Sequence, residues 1–241
     1  MNAVTENTRA AMPQALSAFV TVPATTLPGG HIEPSFQVGR YLCSKSSAGT
    51  AVIDATLAPW VNINYADARA ACAAAGFKLI TERQAMALAV NIAGVAANWT
   101  GGAVGEGSLR QGLRNDSVDS AQPGDFVPAD ADEQRWFELS NGERICDAAG
   151  NAFSWVFDNV QGDEQGLVAR AFAADSPSIT SAPYPSLERG VGWRPAAGRD
   201  WSGDALFRGG CFGSEDNAGV FYLGGDWPGG ARDLVGFRCT N

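Results

Sequence analysis

The residues able to do chemistry in this 241-residue chain are few, and their counts narrow what that chemistry can be. Five cysteines (Cys43, Cys72, Cys146, Cys211 and Cys239) are its only thiols, and His31 is its only imidazole. One histidine cannot build a multi-histidine iron site, and it leaves a Ser-His-Asp triad without support. The first residues, Met1 to Asn7, carry an acid and no basic n-region, so no secretory signal peptide is expected. An odd cysteine count without such a signal argues against a disulfide framework. Buried free thiols are the expectation, because unpaired cysteine packs as a small hydrophobe. A redox pair of Cys211 and Cys239 lacks the two-residue spacing of a thioredoxin-type motif.

Oxygen ligands are more plentiful. Asp125, Asp130, Asp132 and Glu133, with Asp158, Asp163 and Glu164, are what calcium prefers, but none has EF-hand spacing. A solvated acidic loop is the expectation, and calcium is the one cofactor these residues keep open. The glycines from Gly101 to Gly107 lack the Gly-Lys-Ser/Thr ending of a phosphate loop, and Asn98-Trp99-Thr100 and Asn115-Asp116-Ser117 match the glycosylation sequon without a signal peptide to give the match meaning. The 17 Lys and Arg are scattered in a chain of net charge −9, which excludes a nucleic-acid partner. No apolar run approaches the ~20 residues of a membrane helix. The chain is thus expected in the cytoplasm, or on a virion tail or cell surface reached by a route other than a signal peptide.

The elements that must position these groups are short. Residues 1–34, rich in Ala, Thr and Pro, read as an N-terminal arm or oligomerisation segment, and 35–241 as the domain. Phe36 to Cys43 alternates as a first strand. Asn64 to Ala75 predicts a helix with Asn64 as N-cap and Gly76 just past its end. After a short strand, Phe77–Ile80, Thr81 opens a second helix to about Ala97, with Ala85, Leu88, Ala89, Ile92 and Val95 on one face. Residues 98–135 have no period. Such a long irregular loop is unusual and often functional. A hairpin over Arg135–Leu139 and Glu143–Cys146 turns at Ser140-Asn141-Gly142. Gly150-Asn151 suits a tight turn with positive φ. With 29 glycines and seven tryptophans, the chain is expected to be loop-rich.

Four segments, in order, resemble the formylglycine-generating-enzyme (sulfatase-modifying-factor) family over roughly residues 36–241. They are Ala68 through Gly76 to Thr81-Glu82, Asp147-Ala-Ala-Gly150-Asn151 with Trp155, Arg208-Gly209-Gly210, and Gly236-Phe237-Arg238-Cys239. The resemblance implies an α+β, C-type-lectin-like fold with two helices, short antiparallel strands and long irregular loops. Trp155, Phe207 and Phe237 would be its apolar anchors. Arg208 and Arg238 would hold loop carbonyls or carboxylates. The family's enzymes need a cysteine pair in the C-terminal block, and here Cys211 stands alone until Cys239, so a binding protein and not an enzyme is expected. An oxidase using Cys211, intact or degenerate, is the alternative, and a non-diversified tail structural protein is the third reading.

A narrower resemblance is to the variable proteins of diversity-generating retroelements, which include phage receptor-binding proteins. It is carried by Asn91 to Gly105, by the hairpin at Glu138–Ile145, and by a closing block at about 207–238. It implies a fixed frame of Arg208, Gly209, Gly210, Ala218, Gly219, Val220, Phe221, Pro228, Gly236, Phe237 and Arg238. Between these lie the candidate ligand contacts: Phe212, Ser214, Glu215, Asp216, Tyr222, Asp226, Trp227, Arg232, Asp233 and Leu234. Aromatics give large rigid contact area, and Ser, Asp and Gly adapt around them. The implied partner is a protein or glycan on a cell surface, bound by a chain that could form a homo-oligomer.

Overall fold

Both helices begin where their capping residues require. The Asn64 side chain accepts from the Asp67 N–H at 2.8 Å, opening α1 (Tyr65–Ala74). Thr81 and Gln84 form a reciprocal capping box that opens α2 (Glu82–Ala93). Removing the Thr81 hydroxyl by Thr81→Ala is expected to lower stability by about 1 kcal/mol, measured as a shift in urea midpoint; an unchanged midpoint would contradict this role. The second helix stops at Gly94, short of the expected Ala97. A 3-10 turn at Ala96–Asn98 follows, and the Trp99 indole donates to the Ala93 carbonyl at 2.8 Å.

The computed structural model describes residues 17–241. Before the helices come β1 (Phe19–Val22), β2 (Thr25–Thr26), β3 (Ile32–Glu33), β4 (Phe36–Gly39), β5 (Ser44–Lys45) and β6 (Ala51–Val52). Between the helices lies β7 (Lys78–Leu79), and after them β8 (Trp136–Glu138), β9 (Arg144–Cys146) and β10 (Phe153–Val156). The helical turn α3 (Pro177–Thr180) precedes β11 (Ala205–Gly209), β12 (Gly219–Asp226), β13 (Val235–Phe237) and β14 (Cys239–Thr240). One four-stranded sheet has the order β1-β4-β14-β7 and the other β12-β11-β10-β13. The expected α+β class holds, with β10–β13 as a parallel pair in an otherwise antiparallel set. The hairpin β8–β9 forms as read from Asn141-Gly142.

The described residues before Ser35 contribute a strand and core side chains. Phe19–Val22 pairs with Phe36–Gly39, and Val20 and Val22 enter the core beside Ile92. Leu27 is buried against Met86 and Ala87 of α2. An Ala/Thr/Pro-rich composition hid a four-residue strand whose inward side chains alternate. Residues 1–16 of the expected arm lie outside the described residues.

The β12-β11-β10-β13 sheet is covered on both faces. Val156, Leu206 and Leu223 pack toward α2, while Trp155, Ala205, Val235 and Phe237 pack toward α1. Full burial of Phe237 alone stabilises the fold by roughly 1.5–3 kcal/mol. The long loops are held by buried polar groups. Arg135 forms a buried ion pair with Asp147 and donates to the carbonyls of Gln122, Pro123 and Phe126. Asp147 also accepts from the Asn151 side chain at 2.9 Å, whose oxygen in turn takes the Gln122 N–H. Gly150 and Asn151 both have positive φ, and a Cβ on Gly150 would strike the Leu113 backbone. The Asp-x-x-Gly-Asn motif is therefore a hub that fastens the 113–126 loop.

Candidate ligand-binding surface

Apart from the half-buried Pro228, the frame expected from the closing block is buried. Ala218, Val220, Phe221, Phe237, Arg208 and Arg238 are all sequestered from water. Arg208 forms a two-pronged ion pair with Glu82 of α2, its Nε lying 2.7 Å from one carboxylate oxygen. It also donates to the Phe221 and Ser178 carbonyls at 3.1 Å each. Arg238 donates to the carbonyls of Gly39, Cys146 and Asp147 at 2.6–2.8 Å. Charge-assisted bonds of this kind are the strong ones. They tie the start and the end of the block to separate parts of the scaffold.

Asp158 is buried near the Arg208–Glu82 pair. Its Oδ1 accepts from the Val160 and Gln161 N–H groups, and its Oδ2 has no partner among the described residues. Burial and then the Glu82 charge raise its pKa, against the bonds from Gln161 and Val160 and the Arg208 charge. A raised folded pKa contributes stability that is complete below the unfolded value and is lost as pH rises through the folded value. Asp158→Asn keeps the Oδ1 acceptor and removes the ionisation. It should be more stable than the parent at neutral pH, with a flatter dependence as pH rises above the usual carboxylate range. Parallel denaturation profiles for the two proteins would refute this.

Nine of the ten candidate contacts fall into two groups. Ser214, Glu215 and Tyr222 line a shallow dish of about 520 Å³ together with Trp193, Gly213 and Asn217. Ser214 is itself buried, because its hydroxyl accepts from the Cys211 N–H at 2.8 Å. Glu215 and Asp216 are exposed on a 3-10 turn. The second group is the 226–234 loop. Trp227 is 67% exposed, and Arg232 donates to Asp226 at 2.7 Å. Arg232 and Pro228 also lend carbonyls to the N–H groups of Asn62 and Tyr65, which seats the loop at the start of α1. Asp233 is exposed, and Leu234 is half-buried with its carbonyl taken by the Phe153 N–H. Phe212 is half-buried, does not line the dish, and its carbonyl holds the Asp116 N–H.

Half-buried aromatics join the two groups across the sheet. The Tyr222 ring stacks on Phe207 at 6.3 Å and lies 5.0 Å from Phe153 and 5.9 Å from Trp193. Phe207 was expected as a core anchor, and it is half-buried, packed against Phe153 and Trp155. It lies flat over Gly224, where any Cβ would displace the ring. Sequence reasoning missed Trp193 and Phe153. Trp193 reaches β12 because its carbonyl and that of Val191 accept from Leu223 and Phe221 at 2.9 Å. The only signal was an aromatic flanked by Gly192 in a proline-punctuated loop.

The surroundings are acidic. Asp116, Glu215, Asp216 and Asp233 are all exposed, and Asp116 and Asp233 lie close enough to Cys211 to oppose its ionisation. Burial is the main cause that pushes the Cys211 thiol up. All five cysteines are buried and free. Cys239 neighbours Cys43 and Cys72, and Cys211 contacts Ser214.

Four of the seven acids considered for calcium, Asp130, Glu133, Asp158 and Asp163, cap loop N–H groups. Glu133 takes the N–H groups of Arg114 and Asn115 and the Ser117 hydroxyl at 2.6–2.7 Å. Burial opposes its ionisation, but these bonds outweigh that and hold its pKa below the usual value. Asp163 takes the N–H groups of Gln165 and Leu167, and Asp130 that of Asp132. Among the described residues no group of three or more His, Cys, Asp or Glu is arranged to hold a metal ion. No helix among them is long and apolar enough to cross a membrane.

No family model and no curated protein matches the chain. Several solved structures are similar to it over nine-tenths of its length. PvdO from Pseudomonas aeruginosa is 16% identical with a TM-score of 0.43, over 92% of this chain and 90% of that one. The Treponema denticola variable protein 1 is 15% identical with a TM-score of 0.43, over 93% and 92%. The M1 variant of the Major Tropism Determinant is 14% identical with a TM-score of 0.43, over 92% of this chain but 54% of that one.

Proposed function

We propose that the chain is a ligand-binding protein that displays the exposed residues of its C-terminal block, on a frame held constant, to a protein or glycan on a cell surface. In this reading the block is the diversified region of a receptor-recognition protein carried on a phage tail or cell surface. The observation that carries it is the division of labour within 208–238. Residues that fix the backbone are buried and charge-paired, while Glu215, Asp216, Trp227, Arg232 and Asp233 are exposed beside a half-buried aromatic face. Substitution of such exposed groups costs little stability, typically within about 0.5 kcal/mol, so the contact chemistry can change without changing the fold. The oxidase alternative needs Cys211 as a reactive thiolate, and burial of that thiol opposes it.

Two experiments test the reading. Labelled full-length protein is applied to a glycan array and to a panel of intact bacterial cells, alongside a Trp193→Ala/Tyr222→Ala variant whose fold is checked by circular dichroism. Binding by the parent, weakened at least about tenfold in the variant, is the expected result for a central aromatic anchor. Equal binding by a folded variant would sink the assignment of the surface. Sequencing the DNA beside the gene tests diversification. A near-copy of codons 207–238 that differs only at adenines, with a reverse transcriptase gene nearby, is expected.

A further inference from the structure

Three of the five thiols meet at one point. Cys43 lies just before β5, Cys72 is on α1, and Cys239 opens β14. The Cys239 sulfur is 2.6 Å from that of Cys72 and 3.1 Å from that of Cys43. All three residues are fully sequestered from water. The other two cysteines touch no thiol: Cys211 faces the Ser214 hydroxyl, and Cys146 faces the Gly124 carbonyl. Small apolar packing would be served as well by alanine or valine, so convergence of three sulfurs from distant segments calls for a chemical reason. We propose that Cys239 is the hub of a thiol–disulfide site that links it to Cys72 on oxidation, with Cys43 as the third, exchanging thiol.

Forming the bond requires the Cys72 and Cys239 sulfurs to approach by roughly half an ångström, to the ~2.05 Å of a disulfide, which side-chain rotation supplies. With a low-molecular-weight disulfide as oxidant, the Cys72 thiolate attacks one of its sulfurs and releases one small thiol. The Cys239 thiolate then attacks the Cys72 sulfur of the mixed disulfide and releases the second small thiol. Two protein thiols are oxidised, one small disulfide is reduced to two thiols, and the two protons end on those thiols. Attack by Cys43 on the Cys239 sulfur would move the link and free Cys72. In the folded state, against burial, bonds to Cys239 and Cys72 and the Arg238 charge hold the Cys43 thiol below its usual pKa, while bonds to neighbouring thiols and burial push the Cys72 and Cys239 thiols up. Because the cluster is buried, the link forms while the chain folds, and it is shielded from reductants afterwards. It would clamp the strand that follows Phe237 and Arg238 to α1, and so fasten the end of the displayed block for use in an oxidising environment.

The full chain is refolded with oxidised and reduced glutathione, denatured, alkylated and weighed, then digested without reduction. Three alkylated cysteines per chain and a peptide joining Cys239 to Cys72 or Cys43 are expected, against five alkylated cysteines in a sample kept in reductant. Five alkylated cysteines in the refolded, natively folded sample would overturn the proposal. Cys43→Ser should retain a Cys72–Cys239 link. Cys239→Ala, if folded, should lose every link, and a Cys43–Cys72 peptide in that variant would overturn the hub assignment. If Cys239→Ala does not fold, the Cys43→Ser map decides, since a link from Cys72 to any residue but Cys239 contradicts it.

Discussion

Glu82→Ala should be among the most damaging single changes in the protein, lowering the unfolding free energy by about 3–5 kcal/mol, the usual result of removing one partner from a buried ion pair. Glu82 has no exposed surface, and its carboxylate is the counter-charge for Arg208. Without it the guanidinium stays buried, satisfied only by the Phe221 and Ser178 carbonyls. For a chain of this size the loss corresponds to a fall in melting temperature of roughly 6–20 °C. Asp158 modifies the outcome. Removing Glu82 removes the like charge that helps to raise the Asp158 pKa, so Asp158 ionises more readily and its charge partly offsets that of Arg208. Glu82→Ala should therefore cost more in an Asp158→Asn background than in the parent, a non-additivity that a double-mutant cycle reads directly. Replacing Glu82 and Arg208 together by Gln and Met should cost less than Glu82→Ala alone, because no uncompensated charge remains. A single-variant cost below about 1 kcal/mol would show that the pair behaves like a surface one.

Asp147→Ala is the second large effect, again about 3–5 kcal/mol, but with a different footprint. Its carboxylate binds the Arg135 guanidinium and the Asn151 side chain, both within the buried interior. Arg135 in turn holds three carbonyls between Gln122 and Phe126. Losing the carboxylate should loosen the 113–126 loop before it loosens the sheet. Because the Glu215 N–H is held by the Arg114 carbonyl, and Phe212 holds the Asp116 N–H, the disorder should reach the dish. Hydrogen exchange should show faster exchange at 113–126 and 212–217 in the variant than in the parent, with β10–β11 amides changing only by the global loss. Uniform acceleration across all three regions would mean that the hub does not act locally.

Much of the scaffold was legible in the residues themselves. The starts of both helices followed from Asn64 and Thr81, the hairpin from Asn141-Gly142, and the positive-φ turn from Gly150-Asn151. Each depends on groups within about four residues of one another, where backbone geometry and side-chain reach are decided locally. The α+β class and the buried roles of Arg208 and Arg238 were also foreseeable, since those motifs need burial whatever their partners. The strand at Phe19–Val22 was missed because a two-valine alternation in an Ala/Thr/Pro-rich stretch is too short to outweigh composition. Only the tertiary structure decided who the partners are. Glu82 meets Arg208 across 126 residues, Cys239 meets Cys72 across 167, and Trp193 reaches Tyr222 through backbone pairing with β12. Contacts of that range are set by the packing of two sheets against α1 and α2, and no local spacing encodes them.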